Sequence, residues 1–245
     1  MADVVAIIPA RYASTRLPGK PLASIAGKPM IQHVYERTQR AAGVARTLVA
    51  TDDERVAAAV RAFGGDLVMT GTHATGTDRL AEVVRGLAAT EIVVNVQGDL
   101  PLLDPTTVAA CVAALRMRAD AAMASLMTPI HDEVEMRNPN VVKVVTADDG
   151  GALYFSRSPV PFWRGERGAA PFGRRHIGLY AYRRDVLLTL AMTPRAALER
   201  AEELEQLRAL ACGMRIQMVE VDSAPPEVDT AEDLERVRCL VEGQR

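Results

Sequence analysis

The sequence predicts an α/β fold built around a parallel sheet, and three observations carry that expectation. Short apolar runs at residues 4–8, 46–51 and 92–96 alternate with longer amphipathic stretches, the order expected of βαβ units. The run Ile92-Val93-Val94-Asn95-Val96 has no in-and-out alternation, so both its faces are buried, as in a central parallel strand. With 245 residues, 49% hydrophobic and 24% charged, the chain can bury roughly three-quarters of its unfolded surface. That suffices for one large domain over residues 1–245.

Each element follows in order. The apolar run at 4–8 is a buried strand. It feeds the loop Pro9-Ala10-Arg11-Tyr12-Ala13-Ser14-Thr15-Arg16-Leu17-Pro18-Gly19-Lys20-Pro21, which carries three cations, two hydroxyls and stiffening prolines. Such a loop at a strand end is a fixed positive surface of the kind a polyphosphate requires. Residues 22–28 read as a short extended piece and a turn, with Pro29 at a helix start. The helix 30–42 sets Ile31, Val34 and Tyr35 at helical spacing. Strand 46–51 ends in Asp52-Asp53, where either carboxylate holds a ligand or caps the helix 54–63, and capping is the commoner use.

Gly64-Gly65 stops that helix, and 66–69 is a third strand. The loop Thr70-Gly71-Thr72-His73-Ala74-Thr75-Gly76-Thr77 opens into a helix over 78–87. Its composition suits both a ligand wrap and a plain loop with an N-cap, and Arg79 stands where it can reach back. The central strand 91–96 ends at Gln97-Gly98-Asp99, placing a carboxylate at the carboxyl edge of the sheet, where open α/β sheets bind ligands. Helix 106–117 and strand 121–126 follow.

The second half changes character. Two strands, 141–146 and 152–156, flank Asp148-Asp149-Gly150-Gly151 and predict a β-hairpin. Residues 159–173 hold three prolines, three glycines and the single tryptophan, Trp163, with Phe162 and Phe172. Aromatic residues in so long an excursion serve either subunit contact or packing beneath the loop. Strand 176–182, a helical segment over 186–190, a helix over 198–212, strand 214–221 and helix 230–241 complete the chain.

Composition excludes several functions. A net charge of −2 with mixed signs lacks the footprint of a nucleic-acid binder, so an anion site must be local and its ligand small. Cys111, Cys212 and Cys239 lie far apart without metal or disulfide spacing, and are expected to be buried reduced thiols. The start Met1-Ala2-Asp3 has no basic leader region, and no apolar run approaches the roughly eighteen residues of a membrane span. A soluble cytoplasmic protein without nucleic-acid or membrane partners is expected.

The first loop, together with Asn95-Val96-Gln97-Gly98-Asp99, resembles the 3-deoxy-manno-octulosonate cytidylyltransferases, the CMP-KDO synthetase family. The likeness extends through Arg79-Leu80-Ala81-Glu82-Val83, Asn138-Pro139-Asn140, Ala152-Leu153-Tyr154-Phe155-Ser156-Arg157, Arg175-His176-Ile177-Gly178, Leu204-Glu205-Gln206-Leu207-Arg208 and Val228-Asp229-Thr230. The resemblance implies a three-layer α/β/α, nucleotide-diphospho-sugar transferase-like fold with a mixed, mostly parallel, doubly wound sheet and a β-hairpin insertion. It also implies a cytoplasmic homodimer of Gram-negative bacteria that joins CTP and KDO into CMP-KDO and pyrophosphate with Mg²⁺, for lipopolysaccharide assembly.

Roles follow residue by residue. Arg11, Arg16 and Lys20 take the triphosphate, and Ser14 adds a hydroxyl contact. Asp99 and Asp229, one from each of two distant segments, suit Mg²⁺, which wants few carboxylates and keeps water and phosphate oxygens; Thr230 is the better N-cap and leaves Asp229 free. Thr75, Gly76, Arg79 and Gln97 are implied nucleotide contacts. Arg157, His176, Glu205 and Gln206 are implied contacts of the sugar acid. Two departures stand out: Leu100 where the family usually has Glu, removing a charge beside the metal site, and Thr75 where it often has Ser. The alternatives are a cytidylyltransferase for a sialic-acid-like or modified sugar acid, opposed by Tyr12-Ala13-Ser14-Thr15, and a non-catalytic nucleotide-binding homologue.

Overall fold

The computed structural model describes residues 3–13, 16–87 and 89–243. The chain divides into two compact units, one of residues 1–109 with 225–245 and one of residues 110–224.

In the first unit, β1 (Asp3–Pro9) leads through the first loop to a small hairpin, β2 (Ser24–Ile25) and β3 (Lys28–Pro29), and then to α1 (Met30–Gln39). Ala26 and Gly27 turn the hairpin with φ of 49° and 84°, the left-handed pair that a two-residue turn needs. There follow β4 (Arg46–Thr51), α2 (Glu54–Ala62), β5 (Leu67–Met69), α3 (Gly76–Arg85), β6 (Thr90–Asn95) and α4 (Pro105–Met117), which continues into the second unit. The strands lie in the order β6-β1-β4-β5 with every pairing parallel. Val4, Ala6, Ile7, Ile8, Ile92, Val93 and Val94 have no exposed surface, so consecutive residues are covered on both faces, as the unalternating sequence requires. The carboxyl ends of four parallel strands therefore share one edge.

The second unit contains β7 (Met123–Ile130), α5 (Glu133–Arg137), β8 (Lys143–Thr146), β9 (Ala152–Ser156), β10 (Gly173–Arg183), α6 (Arg184–Met192), α7 (Ala197–Glu202), α8 (Gln206–Ala211) and β11 (Ile216–Glu220). Its order is β11-β7-β10-β8-β9; only β7 and β11 pair in parallel, and β8 with β9 forms the expected antiparallel hairpin. Finally α9 (Ala231–Glu242) returns to the first unit, capped by Thr230, whose hydroxyl accepts the Asp233 N–H at 3.2 Å. The class is the mixed, mostly parallel α/β arrangement with helices on both sides that the resemblance implies.

Three expectations need correction. The helix over 198–212 is two helices, because Glu203 adopts a left-handed conformation with φ 53° and ψ 48°. Cys111 is buried, and desolvation pushes its thiol up to about 12, but Cys212 and Cys239 are exposed at the ends of α8 and α9. The short helix α5, capped by Asp132, was not expected. No helix among the described residues is long and apolar enough to cross a membrane.

Candidate active site

The first loop is held in shape by a chain of contacts running from the end of β4. Asp53 caps α2 and binds Arg55, the guanidinium of Arg55 lies 3.3 Å over the centre of the Tyr12 ring, and that ring packs against Gly19. Gly19 closes the loop by donating its N–H to the Tyr12 carbonyl at 3.1 Å. Its φ of 71° and a ring 3.3 Å from where a Cβ would stand both require glycine. Of the two uses open to Asp53, capping is the observed one.

Lys20 emerges directly after this pinch. Its Nζ donates to Asp99 Oδ2 at 2.8 Å and to Asp229 Oδ1 at 3.2 Å, while Arg16 Nη2 lies 3.2 Å from Asp229 Oδ2. Two backbone features bring the carboxylates together from opposite parts of the chain. Gly98 lets the end of β6 approach β1, since a Cβ there would meet the Pro9 carbonyl at 3.2 Å. The Val228 N–H then donates to the Asp99 carbonyl at 3.0 Å, setting Asp229 beside Asp99. Val228 is anchored in an apolar cluster with Ile25, Met30, Leu234 and Val237, against which Leu17 of the loop also packs.

Burial pulls the Lys20 ammonium toward a lower pKa, but Asp99 and then Asp229 outweigh it and hold the group above its ordinary value. Lys20 is therefore a permanent cation, and the site is an array of two cations and two carboxylates. The carboxylates remain accessible, with side chains 26% and 32% exposed. Among the described residues no cluster of three or more His, Cys, Asp or Glu is placed to hold a metal ion. A pair such as Asp99 and Asp229 is the donor set used by a Mg²⁺ ion that completes its shell with water and substrate phosphates. Leu100 is only 2% exposed, so the residue after Asp99 adds to the core and brings no charge to the pair.

The remaining residues expected on the nucleotide side are distributed differently. Ser14 lies outside the described residues. Arg11 is exposed at the end of β1, and Gln97 is half-buried beside Gly98. Thr75 is the N-cap of α3, its hydroxyl accepting the Asp78 N–H at 3.1 Å, and Gly76 is the first residue of that helix. Arg79 is fully buried and turned inward, donating to Thr70 Oγ1 at 2.6 Å and pairing with Asp52 Oδ2 at 3.0 Å. Burial would raise the Asp52 carboxyl, yet Arg79, with Arg11 adding, holds it below the usual carboxylate range. Asp52, which the sequence left open as cap or ligand holder, thus fixes Arg79 and the loop before α3.

In the second unit, the His176 ring sits between Phe155 and Tyr180, with centroids 5.0 Å and 5.4 Å away, and Nε2 is 2.9 Å from Ser125 Oγ. Ser125 also donates to the Leu179 carbonyl at 2.8 Å, so its single proton is committed and His176 Nε2 carries the hydrogen that Ser125 accepts. Burial, with Arg175 adding, lowers His176 to about 3, and the ring is neutral at physiological pH. Desolvation and the nearby Glu205 carboxylate raise the Tyr180 hydroxyl. His176, Tyr180, Glu205 and Gln206 thus gather in one region. Gln206 is 5% exposed, and its buried Nε2 has no partner among the described residues. Arg157 instead spends its guanidinium on backbone carbonyls of Pro139, Glu202 and Glu203. Tyr180, Glu202 and the buried Lys143 were not singled out from sequence; of these, Lys143, a lone charge inside the apolar run Val141 to Val145, carried a visible signal.

The family model described as cytidylyltransferase matches residues 5–216. A 3-deoxy-manno-octulosonate cytidylyltransferase from Syntrophotalea carbinolica is 53% identical, covering 98% of this chain and 99% of its own. One of the same name from Geobacter sulfurreducens is also 53% identical, covering 96% and 98%. A solved CMP:2-keto-3-deoxy-manno-octonic acid synthetase complexed with CTP superimposes with a TM-score of 0.94 at 47% identity, over 99% of this chain and 100% of that one. A 4-diphosphocytidyl-2C-methyl-D-erythritol synthase from Anaerococcus prevotii, 13% identical with a TM-score of 0.66 over 98% and 96% of the chains, shares the fold.

Proposed function

Because this chain belongs to the cytidylyltransferase family, we propose that it activates 3-deoxy-manno-octulosonate with CTP, giving CMP-KDO and pyrophosphate. The observation that carries the reading is the convergence of Lys20, Asp99 and Asp229 at the edge of the parallel sheet, behind a braced cationic loop.

The anomeric hydroxyl oxygen of the sugar acid attacks the α-phosphorus of CTP. A bond forms between that oxygen and phosphorus, the bond to the bridging oxygen of pyrophosphate breaks, and the hydroxyl proton passes to water. Such a reaction needs positioning and charge neutralisation more than covalent help. Arg11, Arg16 and Lys20 bind the triphosphate oxygens, and Ser14 supports them. Thr75, Gly76, Arg79 and Gln97 shape the nucleotide side, with Thr75 and Arg79 acting through the architecture of the loop before α3. Asp99 and Asp229 would hold Mg²⁺, which would supply charge neutralisation for the phosphates and a lower pKa for the attacking hydroxyl. When nucleotide arrives, Arg16 and Lys20 exchange carboxylate partners for phosphate oxygens, their ion pairs having already aimed them at the site. His176, Glu205 and Gln206 offer donors and acceptors to the hydroxyls and carboxylate of the sugar acid.

The enzyme works in the cytoplasm, where CTP is supplied, and its product is an activated sugar for lipopolysaccharide assembly. It works as a homodimer, supported by the exposed aromatic loop: Phe162 is 88% exposed and lines an apolar groove with Trp163, Pro159, Pro161 and Phe172. Light scattering should give twice the 26.4 kDa chain mass, and a single chain mass at micromolar concentration removes the dimer. For activity, pyrophosphate release from CTP and a panel of sugar acids should be fastest with KDO. Turnover of sialic acid without turnover of KDO overturns the substrate.

A further inference from the structure

Resting on that reading of the enzyme, we propose that Glu202, Arg157 and Lys143 form a positioning clasp that places Gln206, and with it Glu205, for recognition of the sugar acid. None of the three acts on the substrate directly; they act through the backbone on which the recognition residues stand.

Lys143, on β8, has no exposed surface. Its ammonium donates to the carbonyls of Asn138 at 3.0 Å, Val141 at 2.6 Å and Arg157 at 2.5 Å, which uses all three of its hydrogens. The residue that supplies the last carbonyl continues the network. The Arg157 guanidinium donates to the carbonyl of Glu202 from Nε at 2.7 Å, to that of Pro139 from Nη1 at 3.0 Å and to that of Glu203 from Nη2 at 3.5 Å. The Glu202 carboxylate closes the circuit by accepting the Arg157 N–H at 2.9 Å, the Ser156 hydroxyl at 2.7 Å and the Tyr154 hydroxyl at 3.4 Å. Three charged side chains thereby tie residues 138–141, the end of β9 and the end of α7 into one body.

The purpose of that body is visible in the next residue. Glu203 is left-handed, a conformation that costs a non-glycine residue roughly 1–2 kcal/mol and persists only when its surroundings impose it. Arg157 holds the carbonyls on both sides of the turn, and the Arg195 guanidinium holds the Glu203 carboxylate at 3.3 Å. The turn ends α7 and starts α8 at Gln206, whose Nε2 is buried without a partner among the described residues. An unpaired buried donor costs roughly 1–3 kcal/mol, so a fold that holds one in place is built for an acceptor that arrives from outside the chain. A sugar hydroxyl or carboxylate supplies that acceptor. Arg157, by contrast, has its donors engaged on its own chain and is a positioning residue.

The test is steady-state pyrophosphate release by the full-length enzyme with CTP and KDO varied separately. In Glu202→Gln, which keeps the shape and removes the charge, and in Arg157→Ala, KM for KDO is expected to rise about tenfold or more while KM for CTP stays within about twofold. Arg157→Lys restores one of three backbone contacts and should fall between wild type and Arg157→Ala. Ser156→Ala removes the hydroxyl that donates to Glu202 and accepts the Ser158 N–H at 3.0 Å, leaving both charged members in place; it should raise KM for KDO about threefold and gives the answer if the stronger variants do not fold. Unchanged KM for KDO, or equal rises for both substrates, overturns the clasp as a positioning device. Failure of the wild-type enzyme to turn over KDO overturns the reading of the activity itself, a result separable from any variant.

Discussion

Asp99→Asn and Asp229→Asn should each lower turnover by roughly 10²–10³-fold while the protein stays folded, because each removes one fixed charge from the site of charge development. Neither change should disturb the fold. The carboxylates are partly exposed and their partners, Lys20 and Arg16, keep other contacts with water or with the surviving aspartate, so the stability lost is that of a surface pair, about 1 kcal/mol or less. Circular dichroism should match wild type, and the Mg²⁺ concentration for half-maximal activity should rise in both variants. Each variant also removes one of the two carboxylates that outweigh the desolvation of Lys20, so the lysine pKa moves down from its wild-type value. Near-normal rates in either variant would take that aspartate out of the reaction.

Arg208→Met should destabilise the protein by roughly 3–5 kcal/mol, the cost of breaking a buried ion pair and leaving Glu199 with only the half-exposed Arg195 guanidinium at 3.3 Å. Arg208 Nε and Nη2 meet the two oxygens of Glu199 at 2.9 and 2.5 Å, and Nη1 donates to the Leu190 carbonyl at 2.9 Å. Glu199 has no exposed surface. The fork therefore locks α7, α8 and the end of α6 together. Denaturant unfolding should show the loss as a lower midpoint, and Glu199→Leu with Arg208→Met should recover most of it. A midpoint within experimental error of wild type for the single variant defeats the argument. The pH dependence has a definite sign. Burial would raise the Glu199 carboxyl, but Arg208, the Ala196 N–H and Arg195 lower it below its usual 4.5. The pair's stability is present above about that pH and is lost as the pH falls through the lower folded value.

Much of the fold was legible because its elements are bounded by strong local chemistry. The strand over 46–51 was read to the residue from an apolar run ended by Asp52-Asp53, and Thr230, expected as the better N-cap beside Asp229, caps α9. Arg16, Lys20, Asp99 and Asp229, singled out from separate stretches of the sequence, are joined by ion pairs. What escaped is imposed from afar. Leu204, Leu207 and Ala211 keep helical spacing, so the pattern does not mark the break at Glu203 just before them, and that break is enforced by Arg157, about 45 residues earlier in the chain. The inward turn of Arg79 depends on Asp52 and Thr70, so its position in the helix was readable and its direction was not. Cysteine is a residue that usually hides, yet Cys212 and Cys239 stand at helix ends, where no neighbouring layer covers them.

The hydrogen bond from Val228 to Asp99 also sets a timetable. Lys20 and Asp99 belong to the first 109 residues, while Asp229 belongs to a segment that completes the same unit only after the whole of residues 110–224 has intervened. During synthesis, a chain that has left the ribosome through residue 224 carries the cationic loop and one carboxylate, and the apolar cluster around Ile25 and Met30 waits for Val228, Leu234 and Val237. Long-range contacts of this kind form late and slowly. The two-carboxylate centre is thus among the last features a newborn molecule acquires, and competence in catalysis arrives together with the sealing of the core beneath it.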